Sequence, residues 1–188
     1  YAATAPLLPA FPSLQDEETA DVCVIGGGYT GLSAALHLKK KGYDVVLLEA
    51  ERVGWGASGR NGGHVGTGQR ADQGSIEKWV GMEAAKGLWQ LGLDAVQKVC
   101  ELIDEYQIDC ELGSGNLHLA AKLNHAEELQ EELEHLEAQY GYRQLSYLAP
   151  KAVAERTSAQ GFYGALLDDG CRHLHPLKYA VGLARAAA

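Results

Sequence analysis

No run of lysine or arginine longer than Lys39-Lys40-Lys41, no apolar run long enough to cross a bilayer and no C-x-x-C pair occurs in this chain of 188 residues. Each absence excludes something. Acids outnumber bases 25 to 16, for a net charge of −9 at pH 7. Such a surface argues against nucleic acid or an anionic membrane as a main partner. The most apolar stretch, residues 22–38, is too short and too glycine-rich to span a membrane. The four cysteines, Cys23, Cys100, Cys110 and Cys171, lack metal-site spacing. No zinc or other metal site is expected, nor structural disulfides, although a Cys100–Cys110 pair stays open. Residues 1–14 are broken by proline and have no basic n-region, so no signal peptide is read and a cytoplasmic location is expected. The sequence starts at Tyr1 without Met and stops in Ala186-Ala187-Ala188, within a helical pattern; it reads as a fragment, long enough for one sizeable core.

What is present centres on residues 22–49, VCVIGGGYTGLSAALHLKKKGYDVVLLE. An apolar strand pattern at 22–25 meets Gly26, Gly28 and Gly31. A helical run follows to about Lys41, Gly42 stops it, and 43–48 form a second strand before Glu49. This is a βαβ unit with G-x-G-x-x-G at its first strand-to-helix turn. Gly26 makes the tight turn, Gly28 admits a pyrophosphate to the backbone, and Gly31 lets helix and strand pack closely. The helix start offers free N–H groups and the positive dipole end to phosphate. Glu49 is placed to accept from ribose hydroxyls and to repel a 2′-phosphate. A tight turn without ligand would share some of these features, and the motif alone leaves FAD and NAD both open. Residues 51–64 add a second glycine-rich loop suited to close approach of a flat ligand, and Arg60 suits a phosphate or a carboxylate.

Around this unit the chain reads as follows. Residues 1–19 form an extended, proline-rich arm. A helical stripe through Ala85, Trp89, Gly92, Val96, Val99, Ile103 and Tyr106 predicts a long helix, with a shorter one before a break near Gly81. Trp79 and Trp89 are expected in the core. Residues 110–121 alternate and suggest a hairpin about Gly113-Ser114-Gly115 in an antiparallel sheet, with His118 exposed. Asn124 and Glu127 suggest a capping box opening a helix striped by Ala126, Leu129, Leu133, Leu136 and Tyr140, whose outer face carries Glu127, Glu128, Glu131, Glu132, Glu134 and Glu137. Gly141 ends it. Strands follow at 144–148 and 162–167, separated by a short helix from Pro150 to about Arg156. Asp168-Asp169-Gly170 reads as a turn, and Pro176 starts a last helix.

Together VCVIGGGYTGLSAALHL, Glu49 and GWGASGRNGG resemble the D-amino-acid-oxidase-like family of FAD-dependent amine and amino-acid oxidoreductases. The stretches YQIDCELGSGNLHLA, YGALLDDG and HLHPL are similar to its γ-glutamylputrescine-oxidising branch. The resemblance implies an α/β fold in which a Rossmann-type FAD-binding domain carries an inserted antiparallel-sheet substrate domain (α+β), incomplete at the C-terminus. Its ranges are an arm at 1–19, the first part of the FAD domain at 20–72, the first part of the substrate domain at 73–170, and a return helix at 171–188. It implies FAD held at Gly26, Gly28, Tyr29, Thr30, Gly31, Glu49, Ala50, Arg52, Gly56, Ala57, Ser58, Arg60, Asn61, Gly62, Gly63 and His64. Asn61 stands where some members attach FAD to histidine, so non-covalent FAD is expected; His64 replaces an expected Gln. The implied reaction oxidises a small-molecule amine, hydrolyses the imine to an aldehyde, and passes electrons to O2 to give H2O2. A glycine- or sarcosine-type amino-acid oxidase or dehydrogenase, an NAD-dependent dehydrogenase, and a fragment without activity are the competing readings. His175 and His173 are the candidates for lining the substrate side. The sequence leaves the oligomeric state open.

Overall fold

A computed structural model describes residues 1–6, 11–158 and 160–188. Part of the predicted arm, residues 7–10, therefore lies outside the described residues. The element order is β1 (Val22–Ile25), α1 (Tyr29–Lys40), β2 (Val45–Leu48), a 3-10 turn (Ala57–Gly59), β3 (His64–Val65), α2 (Gln73–Val80), α3 (Met82–Glu105), β4 (Gly113–Leu119), α4 (Leu123–Tyr140), β5 (Leu145–Leu148), α5 (Pro150–Arg156), β6 (Ala165–His173) and α6 (Pro176–Ala187). Two compact units result. The first comprises Tyr1–His64, Lys98–Leu112 and Leu174–Ala188; the second comprises Val65–Gln97 and Gly113–His173. The segment Lys98–Leu112, which the sequence reading groups with 73–170, lies in the first unit.

In the first unit β1 and β2 pair in parallel, with Val22 opposite Val45 and Ile25 opposite Leu48. A parallel pair needs a crossover, and α1 supplies it. Leu32, Ala35 and Leu36 form its buried face, the i, i+3, i+4 spacing of an amphipathic helix. Helix α1 packs against α6, which buries Tyr179, Ala180, Val181, Leu183 and Ala184. The segment after α3 joins this core through Ile108 and Cys110. Lys40 pairs with Glu105 at 2.6 Å.

In the second unit β6 is central. It pairs antiparallel with β4 along one edge and with β5 along the other, where Leu145 faces Asp168 and Leu148 faces Ala165. The register places Asn116, His118, Leu145, Tyr147, Leu166 and Asp168 on one face. Helix α4 covers that face: Ala126, Leu129 and Leu133 pack with Ala120, Leu145, Tyr147 and Leu166. Trp89, Leu136 and Tyr142 form a neighbouring buried cluster. Gly81, at φ 80°, separates α2 from α3, as the break in the helical pattern predicts.

Several local expectations are corrected. Gly113-Ser114-Gly115 makes no hairpin; it lies in β4, whose partner is β6. Asp168-Asp169-Gly170 is not a strand-ending turn. Asp168 pairs with Asn116 and Arg172 with Ser114, so β6 bulges there and continues. Asp168 Oδ1 accepts the Gly170 N–H at 2.8 Å, so the local Asx contact forms inside the bulge. No capping box opens α4. The helix starts at Leu123, and its N-cap Lys122 makes no side-chain cap; Asn124 donates to Glu128 instead. Trp89 is core at 6 % exposure, but Trp79 is 71 % exposed. All four cysteines are free. Among the described residues no helix is long and apolar enough to cross a membrane.

Candidate cofactor site

The site is built where β1 hands over to α1 in the first unit. Gly26 sits at φ +106°, a region L-residues rarely adopt, and its N–H donates to Leu48 O at 2.7 Å, tying the turn to β2. A Cβ on Gly31 would lie 1.9 Å from Gly26 O and 3.3 Å from Val24 Cγ1. Only a glycine lets α1 sit this close to β1. Gly28 is the N-cap of α1 and has no side chain to cap the first turn, so the positive helix end faces outward with backbone amides available to an anion.

Glu49 stands at the end of β2 with its carboxylate over this turn. Oε2 accepts from Gly27 N at 2.6 Å and Oε1 from Glu51 N at 2.9 Å. Those amides, Glu51 first and then Gly27, hold its pKa below the usual carboxylate range. Glu49 is therefore ionised at neutral pH.

The second glycine-rich loop docks onto the first. Gly54 N donates to Gly27 O at 2.9 Å, and Ser58 Oγ accepts from Tyr29 N at 3.0 Å. A Cβ on Gly28 would come within 2.9 Å of that same Ser58 Oγ, so turn and loop form two walls of one cradle. Asn61 organises the loop from within, donating from Nδ2 to Ala57 O and Ser58 O and accepting from Gly63 N. Arg60 and Arg52 are placed differently from a free anion clamp. Both guanidinium groups lie over the Trp55 ring, at 4.5 and 4.6 Å, and Arg60 Nε also donates to Trp55 O at 2.6 Å. Thr30, Ala50, Gly56, Ala57, Gly62 and His64 are exposed or partly exposed along the same turn and loop.

Helix α6 backs the cradle. Tyr29 OH donates to Pro176 O at 2.9 Å, and its ring meets Tyr179 edge-on at 5.2 Å. Burial pushes the Tyr29 and Tyr179 hydroxyls above the usual phenol value. His175 is 7 % exposed and caps α6. Its Nδ1 accepts from Lys178 N at 3.1 Å, and its Nε2 lies 2.9 Å from Thr4 Oγ1. The Tyr1 ring packs against it at 4.8 Å. Both imidazole nitrogens are thus engaged. His173 lies on β6 in the second unit, exposed and opposite Gly113. The two histidines fall in different units. Residues missed from the sequence are Gly27, whose carbonyl joins the turn to the second loop, and Leu177 and Ala180, which press on Gly54; only the return of α6 hinted at the latter pair.

A glycine turn, an uncapped helix start, an ionised acid after the second strand and a second backbone-lined wall fit a bulky dinucleotide without a 2′-phosphate. Among known proteins, residues 21–188 match the FAD dependent oxidoreductase family, DAO. The chain belongs to that family. Its cofactor is accordingly FAD, and the cradle has the donor set to hold it. Gamma-glutamylputrescine oxidoreductase of Escherichia coli (strain K12) is 44% identical over 186 residues, covering 99% of this chain and 43% of that protein. A probable oxidoreductase, OrdL, of Rhizobium meliloti (strain 1021) is 40% identical over 188 residues, covering 100% of this chain and 44% of that protein. The chain thus spans less than half the length of these curated relatives. The L-amino acid deaminase of Proteus myxofaciens in complex with anthranilate shares the fold, with a TM-score of 0.74 and 18% identity over 98% of this chain and 39% of that one.

Proposed function

We propose that this DAO-family chain is part of an FAD-dependent amine oxidase acting on a γ-glutamylputrescine-like substrate, with an aldehyde and H2O2 as products. The observation that carries the reading is the 44% identity to gamma-glutamylputrescine oxidoreductase over 186 residues. Bound FAD supplies the two-electron acceptor that no amino-acid side chain provides.

The chain's own residues bind and orient. Gly26 makes the turn, and Gly28 and Gly31 let the pyrophosphate approach the backbone at the α1 start, aided by the helix dipole. Glu49, held ionised by two amides, accepts ribose hydroxyls on the lone pairs those amides leave free. Arg52 lies toward the adenosine. Ala57, Ser58, Asn61, Gly62 and Gly63 line the remainder of the cofactor, and His64 sets polarity at its reactive end. Asn61 has no nucleophilic nitrogen to attach a flavin, so FAD is held without a covalent bond. His175 positions α6 behind the cradle through its cap.

The test uses purified protein. Its spectrum should show flavin bands, and acid precipitation should leave the flavin in the supernatant. γ-Glutamylputrescine should drive peroxide formation. A flavin-bearing protein that oxidises only glycine or N-methyl amino acids would refute the substrate reading, and a colourless protein that FAD cannot reconstitute would refute the site.

A further inference from the structure

Helix α6 is held at its start by an imidazole rather than by a side-chain oxygen. The amides of a first turn have no partner within the helix, and His175 Nδ1 accepts that of Lys178 at 3.1 Å. A backbone amide only donates. Nδ1 is therefore bare, and the proton of the neutral ring sits on Nε2. Nε2 lies 2.9 Å from Thr4 Oγ1, and the Thr4 hydroxyl in turn reaches Tyr1 O at 3.2 Å. The donors thus run in one direction, from Lys178 N to Nδ1 and from Nε2 through Thr4 to Tyr1. The ring is buried at 7 % exposure, with the Tyr1 ring against it.

The same turn braces the cofactor cradle. Pro176 O accepts from Tyr29 OH at 2.9 Å, at the start of α1. Leu177 Cδ1 stands 3.0 Å from where a Cβ would sit on Gly54 and on Gly59, so it packs directly on the second glycine-rich loop. Leu174 N donates to Gly63 O at 2.9 Å. Residues on both sides of His175 therefore bear on both walls of the cradle.

A proton on His175 reverses this arrangement. An imidazolium donates from both nitrogens, so Nδ1–H would face Lys178 N–H, donor against donor. Its charge would also fall at the positive end of α6. Imidazole side chains change charge between about pH 5 and 8. The groups facing this ring are the Tyr1 phenol from the arm, Tyr29 from α1, Cys110 and Glu111 from the segment after α3, and Lys178 from α6. Cys110 O accepts from His175 N at 2.7 Å. Burial raises the Cys110 thiol to about 11 and pushes the Tyr29 phenol up, so both stay neutral over that range. Glu111 is held below the usual carboxylate range by Lys178 first, at 2.6 Å, with a smaller contribution from His175. Glu111 thus favours the proton, yet it cannot restore a cap that needs a bare Nδ1.

We infer that His175 is a proton-operated catch: neutral, it holds the first turn of α6 against both cradle loops; protonated, it releases that turn and weakens the hold on FAD. The effect on FAD rests on the cradle being its site, as proposed above, whereas the catch itself does not.

The test follows 15N-labelled, FAD-loaded protein from about pH 8 to about pH 5. At the upper end a long-range 15N–1H spectrum of the His175 ring should show a bare Nδ1 and a protonated Nε2. As the ring gains its proton, protection of the Lys178 amide against hydrogen exchange, relative to the unstructured rate at each pH, should fall about five-fold, the worth of one helix cap. FAD affinity should fall with it. His175→Asn keeps an acceptor for the Lys178 amide and has no proton to gain, so its protection and its FAD affinity should stay level over the same range. The first two readouts need no variant. An Nδ1–H tautomer, a ring that stays neutral throughout, Lys178 protection that does not follow the ring, or an Asn variant that loses protection with acid as the parent does would overturn the inference. Protection that falls while FAD affinity holds would overturn the link to the cradle. A protein that binds no FAD at any pH would refute the cofactor site, and the Lys178 amide would still decide the catch.

Discussion

Replacing Gly31 by alanine adds one methyl group at the closest approach between α1 and the turn. The new Cβ would sit 1.9 Å from Gly26 O, whereas real Cβ atoms essentially never come within 3.0 Å of such an atom. Backbone cannot swing aside as a side chain can, so α1 must withdraw by about 1 Å. A gap of that size forfeits a quarter to a half of the dispersion energy across the interface. Leu32, Leu36 and Ala35 make that interface, and their burial contributes roughly 5 kcal/mol together. The loss is then about 2 kcal/mol, offset by about 0.5 kcal/mol from alanine's better helix propensity in a first turn. Gly31→Ala should destabilise by about 1.5 kcal/mol, and FAD affinity should fall because the same displacement opens the turn. Gly87 gives the matched control: it lies in α3 with no atom within 4 Å of its would-be Cβ. Gly87→Ala should stabilise by about 0.5–1 kcal/mol. Urea unfolding of both variants, with FAD titration of each, reads the comparison. Equal shifts of the same sign, or a Gly31→Ala protein with unaltered midpoint and FAD affinity, would refute the reasoning.

Other outcomes follow from individual contacts. His175→Ala removes the α6 cap and should cost about 1 kcal/mol in urea unfolding, with His175→Asn recovering most of it; a large fall in kcat at unchanged stability would instead place His175 at the substrate. Burial first, then Asp109, pushes the Cys110 thiol up to about 11, and burial with Asp168 raises that of Cys171. Both should stay unmodified by a thiol reagent at pH 8 and react once urea unfolds the protein, as mapped by mass spectrometry. Glu77 is held below the usual carboxylate value by the Tyr140 hydroxyl first and also by His135, at 2.6 and 2.7 Å. A depressed folded-state pKa gives stability that is present above the ordinary value of 4.5 and lost as pH falls through the lowered one. Tyr140→Phe should therefore flatten the fall of Tm with acid between about pH 5 and 3; an unchanged profile would remove Glu77 from the acid transition.

The βαβ unit was legible because its information is local. Gly26, Gly42 and the apolar runs beside them decide turn, helix end and strands within a few residues. The break at Gly81 was legible for the same reason. Elsewhere the decisive partner is distant in sequence. Asp168-Asp169-Gly170 has turn chemistry, and Asp168 does bond Gly170, but pairing with β4 on either side absorbs it as a bulge. Asn124 has N-cap chemistry, yet the helix begins one residue earlier, at Leu123. Trp79 follows no such pattern: its size suggests core, and nothing in the structure explains its exposure. In the cofactor cradle the glycines and Glu49 were readable from spacing. The bonds that lock one loop to the other, Gly54 to Gly27 and Ser58 to Tyr29, join residues whose side chains announce no pairing.

The cap on α6 also bears on the order in which the molecule can be built. Thr4 and His175 are 171 positions apart, and Tyr29 reaches Pro176 across 147. The first unit is therefore interleaved in sequence with the second. During synthesis the glycine turn emerges early but must wait for α6 before its backing helix exists. Contacts of such separation close slowly, and until they close α1 keeps an apolar face without its partner. Cofactor capture is then a late event in the life of the nascent chain, and cutting the chain after the βαβ unit would yield a sequence with the right glycines and no wall behind them.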